Sequence, residues 1–136
     1  MYAEIFALCE KASSDRDRLT IVGTFSGMDS YTVPLPIQPF YVAARIRYEN
    51  VEQGEHAWRI TIVDAKDRQI AKPLSDTINI KMSSETAFAW QTITARFEGV
   101  VFKSFGGHTV RLEINEKLIS SVPFIVHRIG ERSGLA

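Results

Sequence analysis

Three histidines are the side chains best suited to bind a metal ion, and they are widely spaced in the sequence. His56, His108 and His127 form no His-x-His or His-x-x-x-His pair. His56 and His108 have the inward parity of their predicted strands, so they could meet at one rim of the fold. Zinc would need a third ligand, and Cys9 is the only thiol. We therefore expect structural histidines and no metal site.

Other catalytic patterns fail on spacing or on the number of ligands. The segment GTFSG at residues 23–27 has its serine one position too late for a nucleophile elbow, and no helix pattern follows it. Asp64 and Asp67 offer too few oxygen ligands for calcium, and turn-forming aspartates explain both. Cys9 lies in an apolar strand, which favours an inert buried thiol. The sequence predicts no catalytic residue and no cofactor, and hence no enzyme.

Composition and charge exclude several classes of function. The chain has 136 residues, of which 45% are apolar, enough for one core without disulfides. Lys plus Arg and Asp plus Glu both number 16, so no global field attracts nucleic acid or an anionic membrane. The single cysteine, the absence of a signal-peptide pattern and the absence of a long apolar run predict a soluble, cytoplasmic protein.

The hydrophobic pattern that must position any site has a period of two residues, which is typical of strands. Residues 26–39 include three prolines and are expected to form a long connection. Residues 83–90 could begin a short helix. The pattern predicts strands at residues 2–10, 19–25, 40–48, 56–64, 77–82, 87–97, 108–115 and 118–127. We expect an all-β, two-layer antiparallel sandwich of about seven to nine strands, with one domain at residues 1–127 and a flexible tail at 128–136.

A set of arginines provides the first candidate contact surface. All of them lie on predicted strands, at positions opposite the apolar face. If their strands are neighbours, they could form an anion-binding sheet face. The alternative is a solvated face on which acidic residues such as Glu49, Glu98 and Glu113 pair with them. The arginines are Arg45, Arg47, Arg59, Arg96 and Arg111.

An aromatic pair provides the second candidate contact surface. Phe88 and Trp90 have the parity opposite to Ile93 and Phe97, so they face away from the expected core. Exposed aromatic side chains of this kind favour a contact with a partner. The alternative is that a loop, such as the one at residues 34–39, covers them.

Several segments together resemble a bacterial family of domains of unknown function. They are LTIVGTF at residues 19–25, VAARIR at 42–47, GEH at 54–56, ITIVD at 60–64 and VPFIV at 122–126. The resemblance covers residues 3–126 and implies an immunoglobulin-like β-sandwich, without catalytic residues to transfer. Two turns depart from the family pattern: Arg68 stands where a glycine is expected, and the last hairpin turns through residues 115–117 without glycine.

These observations favour a non-enzymatic protein-interaction or assembly module. It would act through a sheet face or an edge strand, with a protein partner or by self-association. The alternative is a sandwich that binds a small molecule or carbohydrate through Trp58 or Trp90 and nearby loops. An unrecognised enzyme is the third hypothesis. Neutral overall charge disfavours a nucleic-acid partner, and no membrane partner is expected.

Overall fold

A computed structural model describes residues 1–130, which form an all-β structure. Residues 131–136, most of the predicted tail, lie outside the described residues. One short 3-10 helix occupies Asn50–Glu52. The strands are β1 (Tyr2–Asp15), β2 (Arg18–Phe25), β3 (Gly27–Ser30), β4 (Leu35–Pro36), β5 (Phe40–Glu49), β6 (Gly54–Val63), β7 (Leu74–Ile80), β8 (Phe88–Phe97), β9 (Val101–Phe102), β10 (Gly106–Ile114) and β11 (Lys117–Arg128).

The strands form two larger sheets and one small one. Sheet A has the order β2-β1-β5-β8, sheet B has the order β3-β11-β10-β6-β7, and β4 pairs with β9. Inward side chains of both larger sheets belong to one hydrophobic cluster, as a two-layer sandwich requires. The predicted helix at residues 83–90 is absent: Ser83 and Thr86 are joined in a turn, and β8 starts at Phe88.

One edge of sheet B corrects the expectation of a purely antiparallel sandwich. β3 lies in the segment predicted as a connection, and it runs parallel to β11. A Cβ on Gly27 would lie 2.5 Å from the carbonyl oxygen of Ile125, so glycine permits this close approach. The same pairing joins Ser30 to Arg128. Arg128 is therefore part of a strand, whereas the prediction placed it in the tail.

The clean alternation of β5 decides which residues face the core of sheet A. Phe40, Val42, Ala44, Ile46 and Tyr48 are all buried, whereas the intervening arginines lie on the opposite face. This is the parity that the sequence predicts. Burial of one large apolar side chain contributes about 1.5–3 kcal/mol to stability, so a shift of one residue in this strand would be strongly unfavourable.

A chain of phenylalanines links the two sheets at one end of the core. Phe97 stacks on Phe40, and Phe25 meets Phe40 edge-on at 5.9 Å between ring centroids. Phe25 also meets Phe124 of sheet B at 5.9 Å, and Phe124 stacks on Phe102 at 4.6 Å. Edge-to-face and stacked contacts of this kind add to the free energy gained by burial alone.

The last hairpin turns through two residues in the left-handed backbone region. Asn115 has φ 53° and Glu116 has φ 67°, the combination of a type I′ turn. Asparagine tolerates this conformation, but glutamate is strained there. The Asn115 side chain also accepts a hydrogen bond from the amide of Ala57 at 3.0 Å, which ties the turn to β6.

The strain at Glu116 leads to a prediction about stability. Glu116→Gly should raise the free energy of unfolding by up to about 1 kcal/mol, because glycine adopts positive φ without a Cβ clash. Chemical denaturation would measure the change. Glu85→Gly is the control, because Glu85 also lies in a turn but does not have a positive φ. This substitution should not increase the free energy of unfolding. A Glu116→Gly protein less stable than the wild type would contradict this account.

Candidate functional site

Six side chains gather on the outer face of sheet A, where β1 begins, β5 ends and β8 begins. We call them the aromatic–arginine cluster. The strand register brings them together, since Arg47 lies between Tyr2 of β1 and Trp90 of β8. Phe88 is opposite Glu49 at the end of the same ladder. The members are Tyr2, Glu4, Arg45, Arg47, Phe88 and Trp90.

A β-bulge in β1 supplies the one acidic member of the cluster. Ala3 pairs with Ile46 on the core side, and Ile5 pairs with Arg45 on the outer side, so Glu4 is the extra residue. A bulge sets two consecutive residues against one on the partner strand and redirects a side chain. Glu4 accordingly contacts outer-face residues of β5 and β8.

Glu4 is the hydrogen-bonding centre of the cluster. Its carboxylate accepts hydrogen bonds from Arg45 Nε at 3.1 Å, Arg47 Nη1 at 3.3 Å and Trp90 Nε1 at 3.0 Å. Arg45 also donates to the backbone carbonyl of Asp17. Charge-assisted bonds are stronger than neutral ones, so one carboxylate fixes three side chains that come from two other strands.

Arg45 and Arg47 also contact aromatic rings of the cluster. The guanidinium carbon of Arg45 lies 5.4 Å from the ring centroid of Trp90. Arg47 lies 5.3 Å from the ring centroid of Tyr2 and 5.1 Å from that of Phe88. These distances are within the range of cation–π attraction. The arginines are therefore held in defined positions on the sheet.

The aromatic members of the cluster remain accessible to solvent. Trp90 is 37% exposed, Phe88 is 39% exposed and Tyr2 is 60% exposed. The segment at residues 34–39, the alternative cover for the aromatic pair, lies elsewhere: Ile37 and Pro39 line a groove with Phe25 and Phe40. Exposed aromatic groups beside fixed charges form a surface suited to contact another molecule.

The five predicted arginines do not form one surface, because their strands belong to different sheets. Arg45 and Arg47 are in the cluster. Arg96 lies towards the other end of β8 and forms an ion pair with Glu98. Arg59 and Arg111 lie on strands of sheet B, where Arg111 donates to Asp67 at 2.6 Å. The condition for a single anion-binding sheet is therefore not met.

The two predicted inward histidines are buried, but the expectation that they could meet at one rim is wrong. β6 and β10 are antiparallel, so their first residues lie at opposite ends of the ladder. His56 contacts the Asn115 amide at 2.8 Å, and its ring lies 4.9 Å from that of Tyr48. Among residues 1–130, no group of three His, Cys, Asp or Glu side chains could hold a metal ion.

His108 is the more deeply buried of these two histidines. It is 2% exposed, its Nδ1 lies 3.1 Å from the carbonyl oxygen of Gly106, and its Nε2 is buried without a hydrogen-bond partner. The ring of Phe102 meets it edge-on at 4.8 Å. Burial lowers the pKa of His108, because the charged imidazolium is poorly solvated there.

The remaining candidate groups have structural roles. The Asp64 carboxylate accepts hydrogen bonds from the backbone amides of Lys66 at 2.8 Å and Arg68 at 3.0 Å. These bonds close the predicted turn. These bonds are part of the reason that the pKa of Asp64 is lowered. Cys9 is buried, and burial raises the pKa of its thiol, which disfavours the nucleophilic thiolate.

Two depressions bear on the alternative of ligand binding. A groove of about 470 Å³ is lined by Phe25, Met28, Ile37 and Phe40, with Glu10 among its polar groups. Trp58 borders a hollow of about 290 Å³ together with polar residues that include Asp76 and Asn115. Both depressions are open to solvent. Trp90, the other tryptophan of this alternative, lines neither of them and lies on the exposed face of sheet A.

No helix within residues 1–130 is long and apolar enough to cross a membrane.

Fold and site together define an all-β protein with a preformed cluster of aromatic and charged side chains on one sheet. The chain belongs to a family of unknown function, DUF6941, whose family model matches residues 4–127. A search of the curated proteins finds no match. The resemblance seen in the sequence is thus confirmed at the level of a family of unknown function.

Sequence reasoning missed two members of the cluster, Tyr2 and Glu4. Both lie in the predicted first strand. The only feature of the sequence that pointed to Glu4 is its charge within an apolar run. Simple alternation of side chains cannot predict which residues of other strands Glu4 contacts. The bulge at Glu4 is a property of the pairing between β1 and β5, and no residue type in β1 marks it.

The central position of Glu4 predicts a loss of stability when its charge is removed. Glu4→Gln should lower the free energy of unfolding by about 1 kcal/mol, since the bonds are charge-assisted but partly exposed to water. Chemical denaturation would measure it. Glu55→Gln, at an exposed position of β6, is the control and should change stability little. An equal effect of both substitutions would show that Glu4 has no special role.

Burial of His108 predicts a pH dependence of stability. The unfolded chain binds a proton near the ordinary histidine pKa of about 6.5, whereas the folded chain resists protonation because its pKa is lowered. The free energy of unfolding should therefore decrease as the pH falls below about 6.5, and the loss should level off below the folded pKa.

Replacement of His108 tests this cause directly. His108→Leu should reduce the pH dependence between about pH 7 and pH 5, whereas His127→Leu should retain most of it. Thermal unfolding at several pH values would measure both. Unchanged pH dependence in His108→Leu would rule out this histidine as the source.

Proposed function

We propose that this protein is a non-enzymatic interaction module that binds another protein through the aromatic–arginine cluster. The observation that carries the proposal is the convergence of exposed Trp90, Phe88 and Tyr2 on two fixed arginines. Tryptophan, tyrosine and arginine are the residue types that contribute most of the free energy of protein–protein binding.

The fixed geometry of the cluster supports binding on energetic grounds. Long arginine side chains lose conformational entropy when a partner immobilises them. Here Arg45 and Arg47 are already held by Glu4 and by ring contacts. The binding partner therefore meets side chains that need little further ordering.

The charge of the cluster indicates the chemistry of its partner. Arg45 and Arg47 contribute two positive charges and Glu4 one negative charge, which leaves one positive charge in excess. A partner surface with an exposed carboxylate beside apolar side chains is complementary to it. The neutral charge of the whole chain argues against nucleic acid as this partner.

The proposal also includes a fold family and a cellular location. Two packed sheets are compatible with an immunoglobulin-like domain, although this chain lacks the paired cysteines of antibody domains. A cytoplasmic location fits a chain whose one cysteine, Cys9, is a buried free thiol.

A second candidate function is the binding of a small apolar molecule. The groove beside Phe25, Met28 and Phe40 favours it, since its volume of about 470 Å³ falls in the range of ligand sites. Few polar groups converge there to orient a ligand, so the interaction module remains the leading proposal.

Photocrosslinking from within the cluster tests the proposal. Replacement of Phe88 by p-benzoylphenylalanine keeps an aromatic group at an exposed position. In cells that naturally make the protein, this variant should form covalent adducts with a protein partner. Addition of Arg47→Ala should reduce adduct formation at least tenfold, because it removes a guanidinium from the cluster. Gel electrophoresis and mass spectrometry would identify and quantify the adducts.

Tyr31 provides a matched control position. It is 73% exposed and follows β3 at the far edge of sheet B, next to the pairing of Ser30 with Arg128. The same photoreactive residue at position 31 should give few adducts. Equal labelling from both positions, or none from position 88, would overturn the proposal.

A further inference from the structure

The outer edge of β8 is the unprotected edge of this sandwich. Within residues 1–130, no strand pairs with the side of β8 that points away from β5. Its ten residues pair with β5 without a register shift, so the strand is regular along its whole length. Long, regular edges of this kind are templates for pairing with another strand.

The residues of β8 lack the usual protection against such pairing. Residues 89–95 include no charge, proline or glycine, although these are the features that normally block edges. The other edges differ. β2 is distorted at Gly23, which has φ +68°. β3 has four residues, and β7 carries Asp76 near its centre and follows Pro73.

We infer that two copies of this chain associate through their β8 edges, antiparallel and centred on Ile93, so that the two A sheets join into one eight-stranded sheet. The inference rests on the proposed function, since it names a second copy as the partner of the surface that contains Trp90. The equal numbers of cationic and anionic residues mean that identical copies do not repel each other.

The sequence of β8 is complementary to itself in this register. With Ile93 on the twofold axis, Trp90 lies opposite Arg96 of the second copy, and the pair occurs twice. Trp90 and Arg96 share the outer face, and Arg96 is close to half exposed. Directly opposed side chains are near enough for a cation–π contact.

The other cross-strand pairs also fit. Thr92 lies opposite Thr94 of the second copy on the outer face, which is a favourable strand pair. On the inner face, Ile93 meets Ile93 of the second copy and continues the apolar layer, since Ile93 is part of the core cluster. No two like charges are opposed along residues 89–97. Closed twofold symmetry uses the β8 edge of both copies, so neither β8 edge remains free for further pairing.

Sedimentation velocity over a range of micromolar concentrations tests the dimer. The wild-type chain should show a concentration-dependent monomer–dimer equilibrium. Thr94→Lys should raise the dissociation constant at least tenfold, because it introduces a charge beside the axis. Thr77→Lys makes the same change on the edge strand β7 and should alter the constant less than twofold. Circular dichroism would verify that both variants fold.

Cysteine crosslinking tests the register without weakening the edge. Cys9 is the only native thiol and is buried, so background crosslinking should be low. Mixed Thr92→Cys and Thr94→Cys proteins should form a heterodimeric disulfide under mild oxidation, at least fivefold more than either protein alone. Preferential crosslinking of Thr92→Cys with itself would overturn the register centred on Ile93.

The outcomes separate this inference from the proposed function. A wild-type chain that stays monomeric at all concentrations, or a dimer that Thr94→Lys does not weaken, would overturn the β8 dimer. If photoadducts from position 88 then contain a different protein, the interaction module stands and only the second copy is excluded. If position 88 gives no adducts while the β8 dimer forms, the proposed role of the whole cluster is overturned, and contact is limited to the β8 edge, which includes Trp90.

Discussion

The side-chain alternation of β5 is the constraint on which the rest of this structure depends. β5 lies between β1 and β8 in sheet A, and its inward residues are almost completely buried. Because strand side chains alternate, fixing Val42 and Ile46 in the core also fixes Arg45 and Arg47 on the outer face. Burial of the inward residues of β5 therefore also determines where its arginines lie.

The outer face depends on an irregularity next to this regular strand. Glu4 is the extra residue of the bulge in β1, between the pairs Ala3–Ile46 and Ile5–Arg45, and its carboxylate bonds to both arginines. One carboxylate then neutralises part of the positive charge and orients three donors. The cluster is ordered by contacts within the sheet, yet its rings stay exposed. This combination distinguishes it from the arginines of sheet B.

The cluster and the outer edge of β8 are adjacent features of the same strand. Trp90 belongs to both, since its ring lies on the outer face and its backbone forms part of the edge. A surface of this kind offers side-chain contacts and main-chain hydrogen bonds together, as in recognition by strand addition. Among the other polar candidates, Asp64 closes a turn and Cys9 is buried, whereas Glu4 orders the cluster.

The sequence by itself determined the β class, most strand positions and the outward direction of Arg45, Arg47, Phe88 and Trp90, because a period of two residues is a local property of the chain. Tertiary structure decided which of these residues meet. Arg59 and Arg111 have the same outward parity but belong to the other sheet, and parity carries no information about sheet membership. Register and strand direction likewise decide the contacts of Glu4, the parallel pairing of β3 and the separation of His56 from His108. Those are set by contacts between residues far apart in the chain, which no local pattern encodes.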